Sequence, residues 1–418
     1  MIAEPSIKFP PLHEQMDEIR RGALEIVPEE ELARKLERSL RSGQPLLVKQ
    51  GFDPTRPDLH IGHAVSLRKL RAFQEMGHQV VFVVGDSTAL IGDPTGRSEL
   101  RPRLTEEEVR ENARTYTEQV FLILDRERTR VELNSTWLAP LRLADLLQLT
   151  AHYTVARMLE RDDFARRYAE GKPISIVEFM YPLMQGYDSV ALRADVELGG
   201  SDQKFNLLVG RALQERYGQE PQVCVIEPLL RGTDGEQKMS KSYDNYVGVA
   251  HAPAEQYGRT MSIPDSLLEE WWRLASGAPA EEVEREAARA AAEPYASKRA
   301  LAARIVAAYH GEAAAAEAAE GFDRLFRRHE PPAEIPRVEL SPGDLDPGPD
   351  GVPLRRLLVH AGLAPSGGQA VRDIEGGGVQ VNGVRITARD ATVPALGEHV
   401  LQKGKRHFAR VIFTSGDT

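Results

Sequence analysis

The sequence of 418 residues contains a single cysteine, Cys224. One cysteine excludes an intramolecular disulfide and any cysteine-built zinc knuckle, and it suits a reducing cytoplasm. Long apolar runs are missing too. The longest, VVFVV at Val80–Val84, falls far short of the ~20 residues that a membrane-spanning helix needs. The opening residues, MIAEPSIKFPPLHEQ, lack a basic patch followed by an apolar stretch and do not read as a secretory signal. Positive charge is in deficit. The formal net charge of −10 argues against a surface built as a whole for a polyanion. No repeat of solenoid type is present. What is there is a hydrophobic content of 41%, ordinary for a globular protein with a true core, and a length that suits about two to four domains.

Residues 1–245 carry an alternation of strand-like and helical patterns. PLLVKQGF, QVVFVVGD, TRVELNS and RADVELGG are the strand candidates. The alternation predicts an α/β fold with a parallel sheet and crossover helices. Residues 246–340 change character and become rich in alanine and charge, which predicts a helical domain, with Leu301, Ile305 and Tyr309 supplying a buried stripe. SPGDLDPGPDGVP follows, and residues 341–352 are expected to be a linker without helix or strand. Residues 353–418 predict two short helices followed by strands and a VNG turn, a small α+β tail domain. From Gly351 to Thr418 nine Lys/Arg face five Asp/Glu, a net of +4, which leaves −14 on the remainder. A basic module on an acidic body points to a polyanionic partner. The Lys403, Lys405, Arg406 and Arg410 cluster reads equally well as a solvated surface.

The segment DPTRPDLHIGHAVSLRKL (Asp53–Leu70) places two prolines and two aspartates before an apolar-periodic stretch. This predicts a turn and then a helix starting near His60 to Gly62. The free N–H groups and dipole of such a helix favour an anion, and Gly62 leaves room for a ligand to come close. His60 and His63 share one face and can donate hydrogen bonds to phosphate. A metal site would need a third ligand, and no spacing nominates His78 or His152. Structural histidines are the other reading. A second segment, DGEQKMSKSYDN (Asp234–Asn245), holds Lys238 and Lys241 between serines. Lysines there suit a polyphosphate, although a lysine loop alone is more often a solvated one.

Both strings together, His60-Ile61-Gly62-His63 and Lys238-Met239-Ser240-Lys241-Ser242, resemble the signatures of the class I aminoacyl-tRNA synthetases. A third stretch, EFMYPLMQGYDSVALRADVELGGSDQKFNLL (Glu178–Leu208), places Tyr181, Gln185 and Asp188 on one helix face, with Pro182 at its start or at a kink. A phenol, an amide and a carboxylate are poor core residues but suit a polar pocket. With the two signatures, this stretch is similar to that of the tyrosyl-tRNA synthetases, and the resemblance covers nearly the whole chain. It implies a Rossmann-like catalytic domain, a helical anticodon-recognition domain and a small RNA-binding tail domain. It implies that Tyr181, Gln185 and Asp93 (in IGDPTGR) hold the substrate amino group and that Asp188 meets the phenol hydroxyl. Gly200, Asp202 and Gln203 (in GGSDQ) would contact ribose and carboxylate, with Gln203 on the tyrosine. Thr55 and His60 would grip the pyrophosphate, with His63 toward the ribose. Lys238 and Lys241 would act on the same phosphates, as would Arg97 and Arg101. Gln50, Gly51, Asp53, Gly62, Met239 and Ser240 fall within the ATP-binding segments.

One departure concerns the phenol. Many bacterial relatives have a Tyr two residues before the GFDPT glycine, and here Lys49 stands there. Lys49 is expected to pair with Asp188 and keep it ionised. The tail is similar to a small RNA-binding fold named after a ribosomal small-subunit protein. It keeps Ser366 and Arg372 of the pattern and loses part of its charge. Arg372, Lys403, Lys405 and Arg406 are the RNA-binding candidates. The resemblance implies ATP with Mg²⁺ carried by the nucleotide, no protein-bound metal, and tRNA and tyrosine as the other partners. It also implies a homodimer in the cytoplasm. The rivals are a tryptophan-specific relative, a non-catalytic RNA-binding relative and a nucleotidyltransferase on the same fold. All these expectations need residues 60–63 and 238–242 to face one cleft.

Overall fold

The structure is a computed structural model that describes residues 9–95, 104–328, 331, 335–404 and 407–414. It forms two compact units, Met1–Ala315 and Ala316–Thr418.

The first unit is built on six strands: β1 (Glu25–Val27), β2 (Leu47–Phe52), β3 (Gln79–Val84), β4 (Thr129–Leu133), β5 (Val196–Gly200) and β6 (Val223–Glu227). Their order across the sheet is β1-β6-β5-β2-β3-β4. All neighbours are parallel except β1, which pairs antiparallel with β6 at the edge. The four expected strands are present. β1 and β6 were not anticipated. The chain order reverses between β2 and β5, and ligands bind beyond the carboxyl ends of strands at such a switch point.

Side chains alternate across the strands. On one face Val48, Phe82, Leu198, Val223 and Val225 pack into the main core. That face is covered by α1 (Leu12–Arg20), α2 (Glu29–Ser42), α3 (Ile61–Glu75) and, beyond α4 (Asp86–Ile91), by α5 (Glu106–Val120). On the other face Val81 and Val83 meet Leu192, and Cys224 and Ile226 meet Leu207. After β4, four short helices lead on: α6 (Ser135–Leu138), α7 (Leu143–Ala151), α8 (Val155–Met158) and α9 (Asp162–Ala169). The other face is then covered by α10 (Ile176–Leu192) and α11 (Lys204–Arg216). A Ser175–Glu178 capping box starts α10, and Pro182 lies inside it. Pro182 therefore does not start that helix.

The alanine-rich region folds into α12 (Pro253–Met261), α13 (Leu268–Leu274), α14 (Ala280–Ala292), α15 (Pro294–His310) and α16 (Glu312–Phe326). Its Trp271, Trp272, Leu301 and Ile305 share one core with Ile61, Val65 and Met239. No packing boundary therefore falls at residue 245.

The second unit contains a five-stranded sheet in the order β10-β9-β12-β13-β7. Its strands are β7 (Arg337–Leu340), β9 (Val379–Val381), β10 (Val384–Ile386), β12 (Glu398–Lys403) and β13 (His407–Phe413), beside a small pair of β8 (Val352–Pro353) and β11 (Thr392–Val393). Two short helices, α17 (Leu354–His360) and α18 (Gly367–Glu375), precede most of these strands as expected, and they pack together. The VNG turn closes the β9–β10 hairpin with Asn382 at φ 51° and Gly383 at φ 81°, the left-handed pair that a two-residue hairpin turn requires.

The expected linker is corrected. Residues 341–352 hold a 3₁₀ turn at Pro342–Leu345 and the start of β8. Leu345 and Val352 are fully buried in the tail core, and β7, ahead of this segment, already belongs to the tail sheet by pairing with β13. Proline, glycine and aspartate predict irregular backbone. They do not predict whether the few apolar residues between them are buried.

Candidate active site

A cavity of about 650 Å³ opens at the carboxyl ends of β2, β5 and β6, at the switch point of the sheet. His60, Gly62 and His63 line it together with Lys238, Met239, Ser240 and Lys241. The two signatures, far apart in sequence, thus share one cleft. Tertiary contacts hold them there. The amide of Ile61 donates to the carbonyl of Val247, and Ile61 and Met239 lie in one apolar cluster. The lysine segment takes its shape from buried Asn245, which accepts from the Ser240 amide at 2.7 Å and donates to Asp234 and to the Lys238 carbonyl.

DPTRPD is irregular, as predicted, and α3 begins at Ile61 with His60 as its N-cap. The two imidazoles stack with centroids 3.7 Å apart. The His60 amide donates to Nδ1 of His63 at 3.2 Å, so a neutral His63 carries its proton on Nε2. Burial holds His60 well below the usual histidine range, helped by His63, Lys241 and Lys238. Burial and the two lysines push His63 down to about 3. Both rings are therefore neutral donors at physiological pH. A side chain on Gly62 would press on the His60 ring at 3.0 Å. Neither ring belongs to a metal cluster, and among the described residues no group of three or more His, Cys, Asp or Glu is placed to hold a metal. His78 is a satisfied core histidine, bonded by the Leu46 amide and Gln15.

At the mouth, the Lys238 ammonium lies 2.7 Å from Asp202. That of Lys241 donates to the Arg56 carbonyl and the Tyr116 hydroxyl at 3.2 and 3.3 Å. Burial lowers Lys241 to about 8. Gln50, Gly51, Asp53, Thr55 and Gly200 also line the cavity. A Cβ on Gly200 would collide with Leu229 and Asp202.

On the α10 side the polar groups form a bonded network. Asp93 accepts from the Thr95 amide and hydroxyl and from Gln203 Nε2, at 2.9, 2.5 and 2.8 Å. Gln203 and Gln185 are tied through Asn206, which donates to both at 3.0 Å. Arg161, 5% exposed, reaches Asn206, Thr95 and Asp93 and pairs with Asp163. Burial alone would raise Asp93, but Arg161, Thr95 and Gln203 outweigh it and hold the carboxyl below its ordinary value. The Tyr181 hydroxyl donates to Asp53 at 2.9 Å, and Asp53 also accepts from Thr88.

Asp188 and Lys49 depart from expectation. Neither lines the cavity. Asp188, 3% exposed, accepts from Trp137 Nε1 at 2.8 Å and from Asn134 Nδ2 at 3.5 Å. Asn134 donates in turn to Thr88 on the cavity wall. Burial raises Asp188 to about 7, against Lys49, Trp137 and Asn134, which lower it. Lys49 does not bond to Asp188. Its ammonium pairs with Glu197 at 2.7 Å, both side chains being 1% exposed. Lys49 and Glu197 are register partners on neighbouring parallel strands, so they emerge side by side on the same face. Glu197 is further held by Ser189 and Gln222.

Arg97, Arg101, Lys405 and Arg406 lie outside the described residues. In the tail, the Arg372 guanidinium donates to Gln369 at 2.6 Å, Gln369 donates to Asp373, and Lys403 lies 3.3 Å from Asp373. The two described basic candidates thus join one polar patch. Sequence reasoning missed Arg161, Asn206, Trp137, Asn134 and Glu197. Each acts through another residue, and although Asn206, Glu197 and Asn134 stand inside quoted stretches, no spacing there singles them out.

Comparison with known proteins agrees with this geometry. Residues 41–327 match the family model for "tRNA synthetases class I (W and Y)", and residues 334–411 match the "Tyrosine--tRNA ligase SYY-like C-terminal domain". The tyrosine–tRNA ligase of Moorella thermoacetica is 54% identical over 400 residues, 95% of each chain. That of Geobacter sulfurreducens is 51% identical over 403 residues, 96% of this chain and 99% of its own. Among solved structures, a tyrosyl-tRNA synthetase from Archaeoglobus fulgidus, complexed with L-tyrosine, shares the fold at a TM-score of 0.61 and 24% identity, over 74% of this chain and 100% of that one. A C-terminally truncated mitochondrial tyrosyl-tRNA synthetase of Coccidioides posadasii aligns at a TM-score of 0.59 and 25% identity, over 74% of this chain and 91% of that one. With these matches spanning both its units, the chain belongs to the class I tRNA synthetases for tryptophan and tyrosine, among the tyrosine–tRNA ligases.

Proposed function

We propose that the cavity is where this ligase joins L-tyrosine to ATP, with the amino acid on the α10 side and the nucleotide on the α3 side. The ammonium group fits the Asp93 carboxylate, already ionised and backed by Gln203, with Tyr181 and Gln185 beside it. The ring then runs toward Asp188, whose carboxyl is oriented by Trp137 and Asn134. The triphosphate fits between the α3 N-terminus, with Thr55, His60 and His63, and the ammonium groups of Lys238 and Lys241. Arg97 and Arg101 are assigned to the same phosphates by resemblance alone. Mg²⁺ travels with ATP on its phosphate oxygens, the hard donors it favours.

In the first step a tyrosine carboxylate oxygen bonds to the α-phosphorus, and the bond from that phosphorus to the pyrophosphate oxygen breaks. The substrate is its own nucleophile, so no side-chain base is needed. The residues contribute alignment and charge neutralisation. Neutral imidazoles donate through N–H, and the lysines follow the charge that grows on the leaving pyrophosphate. In the second step the terminal adenosine of the tRNA takes the acyl group and AMP leaves. The basic patch around Arg372 and Lys403 is the proposed RNA contact of the tail. A homodimer is supported by exposed apolar side chains at Leu143, Leu147, Val155 and Ile176, which are between 62% and 81% exposed. A cytoplasmic location fits the single, buried Cys224.

The observation that carries this reading is the meeting of both signatures and the Asp93 network in one cavity. Pyrophosphate exchange into ATP tests it, run separately with tyrosine, tryptophan and phenylalanine. Exchange is expected with tyrosine only, and comparable exchange with tryptophan would overturn the reading of the α10 side.

A further inference from the structure

Three side chains of the cavity wall carry a buried polar atom with no hydrogen-bond partner among the described residues: Gln50 Oε1, His60 Nδ1 and Glu227 Oε1. His60 belongs to a signature string and Gln50 to the segments expected to bind ATP. Glu227 belongs to none. It closes β6, and by strand alternation it projects on the same face as Val223 and Val225, the face that α3 covers. It is 3% exposed.

A buried carboxyl usually has a structural partner, and the obvious one is turned elsewhere. Lys69 on α3 donates to the backbone carbonyls of Glu18 and Arg21 at 2.7 and 2.5 Å. Burial raises the Glu227 carboxyl to about 7 against the pull of Lys69. The cavity that Glu227 lines also has apolar wall residues, Val65, Leu198, Pro228, Leu230 and Met239, with Gly62 on the α3 side. Such a slot suits a flat ring with a polar edge.

The unpaired polar atoms of its wall narrow the choice of ring. Gln50 Nε2 donates to Ser66 at 2.8 Å, which leaves its Oε1 as the free atom. Gln50 on β2 and Glu227 on β6 flank β5, about 9.6 Å apart across the sheet, with Glu227 two residues further along by register, room for a nucleoside to lie between them. Both free atoms are acceptors, so they call for donors. Adenine offers one N–H donor group, its 6-amino group, whereas guanine presents an acceptor oxygen at that position.

We propose that Glu227 is a specificity residue for the nucleotide, accepting a hydrogen bond from the 6-amino group of the ATP purine while Gln50 faces the ribose. This rests on the reading above, in which the triphosphate lies against His60, Lys238 and Lys241 and so directs the nucleoside along the α3 face. Glu227 takes no part in the chemical step. It makes the slot selective for an amino-purine, because a nucleotide lacking that donor leaves the carboxyl buried and unpaired.

The test is single-turnover formation of tyrosyl-adenylate by the full chain. The nucleotides are ATP and the purine ribonucleoside triphosphate that lacks the 6-amino group. The wild type is expected to prefer ATP by about tenfold to a hundredfold in the rate of adenylate formation at low nucleotide, the cost of leaving a buried polar group unpaired. Glu227→Ala brings the ratio close to one, and Glu227→Gln, which keeps an acceptor oxygen, retains part of it. Both nucleotides are measured on the same variant, so loss of folded protein cancels from the ratio. A Glu227→Ala enzyme that keeps the wild-type ratio, or a wild type without preference, overturns the proposal. A wild type that forms no adenylate from tyrosine and ATP overturns instead the reading beneath it.

Discussion

The two ends of the cavity are built on opposite principles. On the α10 side, Asp93, Gln203, Asn206, Gln185 and Arg161 are bonded to one another before any ligand enters. On the α3 side, Gln50, His60 and Glu227 keep buried atoms without a partner, and the lysines at the mouth are held by a few single contacts, Lys238 by Asp202 and Lys241 by the Arg56 carbonyl and the Tyr116 hydroxyl. In the α10 network, Asp163 Oδ2, behind Arg161, is the one exception. A buried network so largely satisfied is rigid, and it holds its shape against a wrong ligand. Unsatisfied buried atoms cost stability until a ligand supplies the missing bonds. On the proposed reading, the amino-acid end is therefore preorganised for discrimination, and the nucleotide end is left unpaired so that binding ATP completes it.

The contrast can be broken most forcefully at Arg161. Arg161→Met removes the cation that serves both Asp93 and Asp163 inside the unit. Breaking one partner from a buried pair costs about 3–5 kcal/mol, so urea denaturation should show a loss of that order and the KM for tyrosine should rise. A loss below about 1 kcal/mol would mean that the network is not what holds this end together. At Asp188, the Ala variant should lower the preference for tyrosine over phenylalanine by about tenfold to a hundredfold, the cost of leaving a buried polar group unpaired. Adenylate formation with each amino acid measures it. An Ala variant that still rejected phenylalanine as the wild type does would remove Asp188 from the phenol.

The pH dependence of stability sharpens the comparison further. Burial raises Asp188 from 3.8 to about 7. Between those values the folded chain keeps a proton that the unfolded chain releases, so the stability this group contributes falls as pH rises and levels off above about 7. From pH 5 to pH 8 the wild type should lose about 2–3 kcal/mol more than Asp188→Asn, from ~1.4 kcal/mol per unit. Equal pH slopes in the two proteins would show that Asp188 is not held protonated. The smallest effect on stability is expected at the mouth. Lys238 is 42% exposed on its side chain, so Lys238→Ala should change stability by less than about 1 kcal/mol while the adenylation rate drops steeply. A destabilisation like that of Arg161→Met would erase the difference between the two ends.

How much of this was legible in the sequence follows from distance along the chain. His60, His63, Lys238, Lys241, Tyr181 and Gln185 stand in short strings whose spacing carries their chemistry, and all six reach the cavity. Asp188 was legible as part of its helix face, but its position behind the wall was not. The linker failed for another reason. Its prolines and glycines describe backbone, whereas burial of Leu345 depends on what the tail packs against it. Lys49 failed because its partner was chosen by chemistry alone. Asp188 and Glu197 are both carboxylates, and only the register of β2 against β5 selects Glu197.

By itself, the sequence determined the α/β pattern, the start of α3 and the two signature strings that meet in one cavity, because these rest on local periodicity and turn chemistry within a few residues. Only the tertiary structure decided which carboxylate meets which cation, that Glu227 lines the cavity while Arg161 backs Asp93, and which buried atoms stay unpaired. Those outcomes depend on strands brought side by side from positions more than a hundred residues apart, and no local rule reaches across that separation.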